Sequence, residues 1–277
     1  MRKLFPPDHP LGSASLKLKR ANVHYYGLVR RMRGYIAASG PEVIFRPKGE
    51  VKTSDEVMGM KVAKPMVYEL SIDPRLKDVW GLVIGDVIHN LRHALDHVAW
   101  ALATEHERVS GVHMTPEDAA SVYFPLRADR LAKDVYVGGL NWNDVRLFPP
   151  SAYNTIEKFQ PYNRDKWPEL RFLYVLHKLC NLDKHRVVTP VFSDVSLTIG
   201  GSNSLGSIRL NKPSQIMYMV TPNTARALGG KVEPEASYEV DIGTGLPYPD
   251  DFMNIYGLRL MHHFIRDEVV PSFARFF

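Results

Sequence analysis

The sequence predicts an α+β protein. A mainly helical core over residues 13–186 is followed by a β-rich segment at 187–243 and a C-terminal helix at 251–270. Three observations predict it. Apolar residues recur at helical spacing over 13–38, 78–104, 168–185 and 251–270. Between 187 and 243, short β-rich runs alternate with Gly, Asn, Ser and Pro. Helices at both ends of the chain enclose these strands, which predicts a single integrated domain over 1–277.

The first helix, 13–38, is drawn from Leu18, Asn22, Tyr25, Val29, Met32 and Ile36, spaced to form one buried face, with Lys17, Arg20, His24 and Arg31 opposite. Ser39-Gly40-Pro41 ends it. Strands follow at 42–47 and 66–72, joined by a polar stretch at 48–64. The clearest helix, 78–104, carries the stripe Val83, Val87, Leu91, Ala94, Leu95, Val98 and Leu102. A loop region rich in Gly, Pro and Asp spans 105–150, then a short helix at 151–159. The helix at 168–185 is apolar on almost every side, which predicts central burial. The runs VVTPVF, VSLTIG, SIRL, IMYMV and YEVDI read as strands. The last helix turns Ile255, Leu258, Met261, Ile265 and Val269 to one face.

The chain has 277 residues, of which 45% are hydrophobic and 23% charged, the composition of an ordinary globular protein. A single cysteine, Cys180, excludes an intrachain disulfide and suits a reducing cytoplasm. Pro6, Pro7 and Asp8 interrupt the N-terminal MRKLFPPDHP, so it does not read as a signal peptide. No stretch approaches the ~18 apolar residues of a membrane span. The net charge is +5, yet residues 1–40 hold eight Lys/Arg against Asp8 alone. That regional basicity, which includes Arg20 and Arg31, suits a nucleic acid before a membrane; the alternative is a solvated helix face.

Chemistry concentrates at 86–97. The polar face there holds Asp86, His89, Asn90, Arg92, His93, Asp96 and His97, with neither Lys nor Glu. These residues serve proton transfer, anion binding and metal ligation; they also suit a buried hydrogen-bond network. His89, His93 and His97 sit at i, i+4 and i+8, a rise of ~12 Å. Two Zn–N bonds of ~2.1 Å span at most an adjacent pair. A metal would therefore need ligands from elsewhere, such as His177, Asp183 or His185. The reading adopted is a site with no metal and no cofactor. Arg92 grips a phosphate, and His97 moves a proton near neutral pH. A second polar cluster, His177 and Asn181 with Lys184, His185 and Arg186, lies on or just beyond the helix at 168–185. Buried polar groups need partners, so this cluster is expected to face the histidines of 86–97 and form one substrate-binding cleft. The alternative for 184–186 is a C-terminal cap. No Gly-x-Gly-x-x-Gly, Walker A or Gly-x-Ser-x-Gly sequence is present.

The run GDVIHNLRHALDHVAWAL, with FPL at 124–126, QPY at 160–162 and LHKLCNLDKHR at 176–186, resembles an uncharacterised family of bacterial and phage-associated proteins. The Arg92–His97 spacing also resembles the R-x4-6-H motif of the HEPN superfamily. That resemblance implies a helical bundle, often dimeric, and a metal-independent ribonuclease of a toxin or phage-defence system. It implies Arg92 and His97 as catalytic, assisted by Asn90, His93 or Asp96. Its partner would be RNA, drawn in by Arg20, Arg31 and the rest of the basic N-terminal segment, with His89 contributing to binding. The alternatives are a non-catalytic module that binds nucleic acid or protein, and a metal-dependent hydrolase.

Overall fold

The structure is a computed structural model. It describes residues 4–38, 42–47, 56–57, 60–61, 66–71, 74–130, 136–137, 140–183, 190–198, 207–210, 217–218, 235–243 and 252–277. Contacts divide the chain into two compact units: Met1–Arg30 with Val79–Val188 and Gly243–Phe277, and Arg31–Asp78 with Thr189–Ile242.

Helices dominate the first unit. α1 spans Gly12–Ala38 and α2 spans Pro74–Ser110. α3 (Pro116–Ser121), α4 (Trp142–Val145) and α5 (Tyr153–Lys158) are short, and α6 covers Arg171–Asp183. α7, Ile255–Phe264, runs on through a π turn at Ile265–Val269 into a 3-10 helix at Val270–Phe276.

The buried series leading into and along α1 is Leu11, Ala14, Leu18, Ala21, Tyr25, Leu28 and Met32. Its 3-4 spacing is the seam of a helix packed against neighbours. The expected stripe shares Leu18, Tyr25 and Met32 with it; Asn22 and Val29 lie at its flank, half-buried. α2 buries Trp80, Ile84, Val87, Ile88, Leu91, Ala94, Leu95, Val98 and Leu102. It runs six residues beyond the expected end at 104. Gly111, at φ 71°, then closes it, its N–H bonded to the Glu107 carbonyl at 2.9 Å. This left-handed cap is glycine's role. α3 falls inside the expected loop, started by a reciprocal capping box between Thr115 and Asp118 with Pro116 next.

Four helices pack pairwise through named contacts. His24 Nδ1 of α1 lies 3.7 Å from Asp86 Oδ2 of α2. Cys180 Sγ of α6 donates to the Ile88 carbonyl of α2 at 3.9 Å. Phe172 of α6 and Phe264 of α7 sit 6.2 Å apart. His262 Nε2 of α7 donates to the Leu18 carbonyl of α1 at 3.0 Å. On α7 and its extension, Leu258, Met261, Ile265 and Val269 are fully buried, as the helical period predicts.

The second unit contains strands. β1 (Glu42–Pro47) pairs antiparallel with β4 (Met66–Ser71), and a two-residue ladder joins β2 (Glu56–Val57) to β3 (Met60–Lys61) inside the expected polar connection. In the first unit, β5 (Tyr136–Val137) pairs antiparallel with β6 (Leu140–Asn141). In the second, β7 (Pro190–Thr198) lies between β8 (Ser207–Leu210) and β10 (Glu235–Gly243), with a register shift at Glu239/Val240. β7 merges two runs that the sequence reads as separate strands. Met217–Tyr218, β9, pairs with β4. Among the described residues, no helix is long and apolar enough to cross a membrane.

Candidate functional site

The polar face of α2 divides into groups that hold the fold and groups that stay open. Arg92 belongs to the first. Its Nη2 donates to the Phe124 carbonyl at 2.6 Å and lies 3.0 Å from Asp96 Oδ1. The same Asp96 oxygen accepts the Phe124 N–H at 3.0 Å. One i,i+4 pair thus satisfies both backbone groups of a fully buried phenylalanine. The next residues of that strap are held from the other side. Buried Gln160 donates to the Pro125 carbonyl at 2.9 Å, and its Oε1 accepts the Arg127 N–H at 3.0 Å. The three landmarks FPL, QPY and NLRHALDH therefore meet in one hydrogen-bond network.

Asn90 donates to the Asp86 carbonyl of its own helix at 2.7 Å. His89 Nε2 lies 2.9 Å from Asp183 Oδ2, tying α2 to the end of α6. The helices approach so closely there that a Cβ on Gly85 would stand 2.8 Å from that oxygen.

His93 and His97 remain. Together with Lys17 of α1, Asp96, Trp100 and Val122 they line an open groove of about 440 Å³. Among the described residues neither imidazole is engaged in a hydrogen bond. Partial burial, then the Lys17 ammonium, holds both below the ordinary histidine range, against the opposing pull of Asp96. Both rings are therefore mainly neutral at pH 7. Trp100 is 46% exposed at the groove.

Neither His177 nor Asn181 lines this groove. Asn181 is exposed and donates to His177 Nε2, one turn back on α6, at 3.2 Å. Asn181 thus lies on a solvated edge of α6 that its apolar sequence hides. Asp183 joins α6 to α2 through His89, beside the Cys180–Ile88 contact. Lys184, His185 and Arg186 lie outside the described residues. Arg20 and Arg31 are exposed on α1 and do not line the groove.

Three members of the groove, Lys17, Trp100 and Val122, have no site role in the sequence reading. The helical period places Lys17 opposite the buried face of the first helix and marks neither Trp100 nor Val122. Trp100 follows His93 and His97 at i+7 and i+3, a spacing that marks one helix face. Lys17 carries no such signal, because only packing brings α1 beside α2. Among the described residues no group of three His, Cys, Asp or Glu side chains is placed to hold a metal ion. No family model matches the chain, and neither a curated protein nor a solved structure matches it.

Proposed function

We propose that the chain is a metal-independent ribonuclease whose working groups are His93, His97 and Lys17. The observation that carries this reading is the groove itself, where two unengaged, neutral imidazoles and an ammonium share an open surface. Arg92, the phosphate ligand of the sequence reading, is already bonded to Phe124 and Asp96, so Lys17 takes the phosphate here.

The chemistry is internal transesterification. One histidine removes the proton of a ribose 2′-OH, and the 2′-oxygen attacks the neighbouring phosphorus. The P–O5′ bond breaks, and the second histidine, protonated, gives its proton to the leaving 5′-oxygen. The products are a 2′,3′-cyclic phosphate and a 5′-hydroxyl end. Lys17 offsets the charge that builds on the equatorial oxygens. The reading brings with it a HEPN-like helical bundle, a homodimer and a cytoplasmic setting. The Arg92–His97 spacing on the long helix of a helical unit supports the first of these.

The test is cleavage of a labelled RNA in the presence of EDTA. Parent protein should cleave, and His93→Ala and His97→Ala should each lose ~10²–10⁴ in rate. Lys17→Ala should raise KM and flatten the salt dependence. The base must be neutral and the acid protonated, and both groups titrate below the ordinary value of 6.5. The bell of kcat/KM against pH is therefore centred on the acid side of 6.5. His97→Ala cleaving at the parental rate would sink the proposal.

The second reading is a non-catalytic module that binds RNA. The Arg92–Asp96–Phe124 clamp favours it, because it assigns the arginine of the Arg-x4-His pair to the scaffold. Salt-dependent RNA binding by the parent with no cleavage over the whole pH range is its signature.

A further inference from the structure

A second cavity of about 370 Å³ lies elsewhere in the helical unit. It is lined by Lys158 and Phe159 at the end of α5, Trp167 and Glu169 around the Pro168–Leu170 turn, and Phe264 and Glu268 on α7 and its π turn. Phe159 and Phe264 meet edge to face at 6.4 Å, and Trp167 is 54% exposed. The Lys158 ammonium lies 5.3 Å from the Phe159 centroid and 5.9 Å from the Trp167 ring. A positive nitrogen thus already occupies the place where two ring quadrupoles attract one.

The two carboxylates complete the arrangement. Among the described residues neither Glu169 nor Glu268 forms an ion pair, and both open onto the cavity. Glu268 sits in the π turn, where the Val270 N–H reaches back five residues to the Ile265 carbonyl. Pro271 follows directly, with no N–H to offer the Asp267 carbonyl. Such turns recur at functional sites, and this one carries an acid to an aromatic wall.

We propose that this cavity binds a small organic cation with an alkylated ammonium head. The head rests over Phe159 and Trp167 and is balanced by Glu169 and Glu268. Lys158 is the tethered occupant that it displaces. Lys158 ends α5 and hangs from a flexible four-carbon stem, so it leaves without moving the backbone. The proposal is independent of the phosphodiester reading, because the two sites share no residue.

The test uses choline and its uncharged isostere 3,3-dimethyl-1-butanol, followed by broadening of their methyl proton signals on titration with full-length protein. Choline should bind saturably and the isostere roughly 10-fold more weakly, within the range that a cation–π contact spans. Lys158→Ala should tighten choline by roughly 2- to 30-fold, and Trp167→Ala should weaken it by a similar factor. Glu268→Gln should weaken choline while leaving the isostere unchanged. All three side chains are exposed, and circular dichroism checks that the variants fold. Equal binding of choline and the isostere would show a merely apolar cavity and overturn the proposal. So would the absence of choline binding to Lys158→Ala, where the competing ammonium is gone.

Discussion

Arg92 and His93 are neighbours with opposite fates. Arg92 is mostly covered and bridges the Phe124 carbonyl and Asp96, while His93 opens onto the groove. The clamp makes Arg92 a stability residue, and this is directly measurable. Arg92→Ala leaves the Phe124 carbonyl of a buried residue without its charged donor, a loss of ~1.5–3 kcal/mol. For a protein of this size that lowers Tm by roughly 3–5 °C. Arg92→Lys should recover only part, because the shorter lysine stem does not carry its ammonium out to the place of Nη2, the one nitrogen that meets both acceptors. Calorimetry decides it. A Tm unchanged in Arg92→Ala would mean that the arginine is free to serve a substrate, as the Arg-x4-His resemblance implies. His97→Ala, by contrast, should leave the melting curve nearly where it was. Composition alone does not separate the two roles, since Arg, His and Asp build binding sites and hydrogen-bond networks alike.

The elements show the same division between local and distant causes. The body of α2 is legible because its apolar stripe follows the helical period. Its last turns are not, because the charged run Glu105–Arg108 continues no apolar stripe, and the left-handed Gly111 closes the helix only at 110. Arg108 bonds Glu105 through both Nε and Nη2 across one turn. The Thr115-Pro116 start of α3 is a local signal. Gly85 is different. Mid-helix glycine costs about 1 kcal/mol relative to alanine, so alanine there should stabilise by sequence reasoning. The Asp183 carboxylate reverses this, because the added methyl displaces it and breaks its contact with His89. We expect Gly85→Ala to lower stability by ~1–3 kcal/mol. In an Asp183→Ala background the same change should become neutral or stabilising. Urea unfolding of the four proteins in a double-mutant cycle measures the coupling. Additive effects would mean that the close approach has no energetic consequence.

Across the first unit, the chain's two ends are joined through His262. It is buried on α7 and donates Nε2–H to the Leu18 carbonyl of α1, while its Nδ1 has no partner among the described residues. Burial, reinforced by Arg266 and His263 and opposed by Asp267 and the Leu18 hydrogen bond, pushes its pKa down to about 4. The unfolded chain binds this proton near 6.5, so between those values it holds more protons than the native state. Stability is therefore complete above 6.5 and declines as pH falls through the window to about 4, by roughly 3 kcal/mol. His262→Leu should be less stable at pH 7, since the Leu18 carbonyl loses its donor, yet it should lack this decline. Urea midpoints measured from pH 4 to 7 show whether the slope disappears; an unchanged slope in the variant would assign the acid sensitivity elsewhere.

What the amino-acid order determined is whatever repeats within a few residues: the periods of α1, α2, α6 and the last helix, the strand runs after 187, and a polar face on α2 rich in histidine. What folding decided is how that face is used. Phe124 arrives from 32 positions further along the chain to occupy Arg92 and Asp96, Asp183 arrives from α6 to hold His89, and Lys17 arrives from α1 to complete a groove around His93 and His97. Periodicity is a local property, because backbone geometry fixes which side chains share a face. The partner a polar side chain finds is a property of packing, because it depends on which distant segment covers that face and which part of it remains open to water.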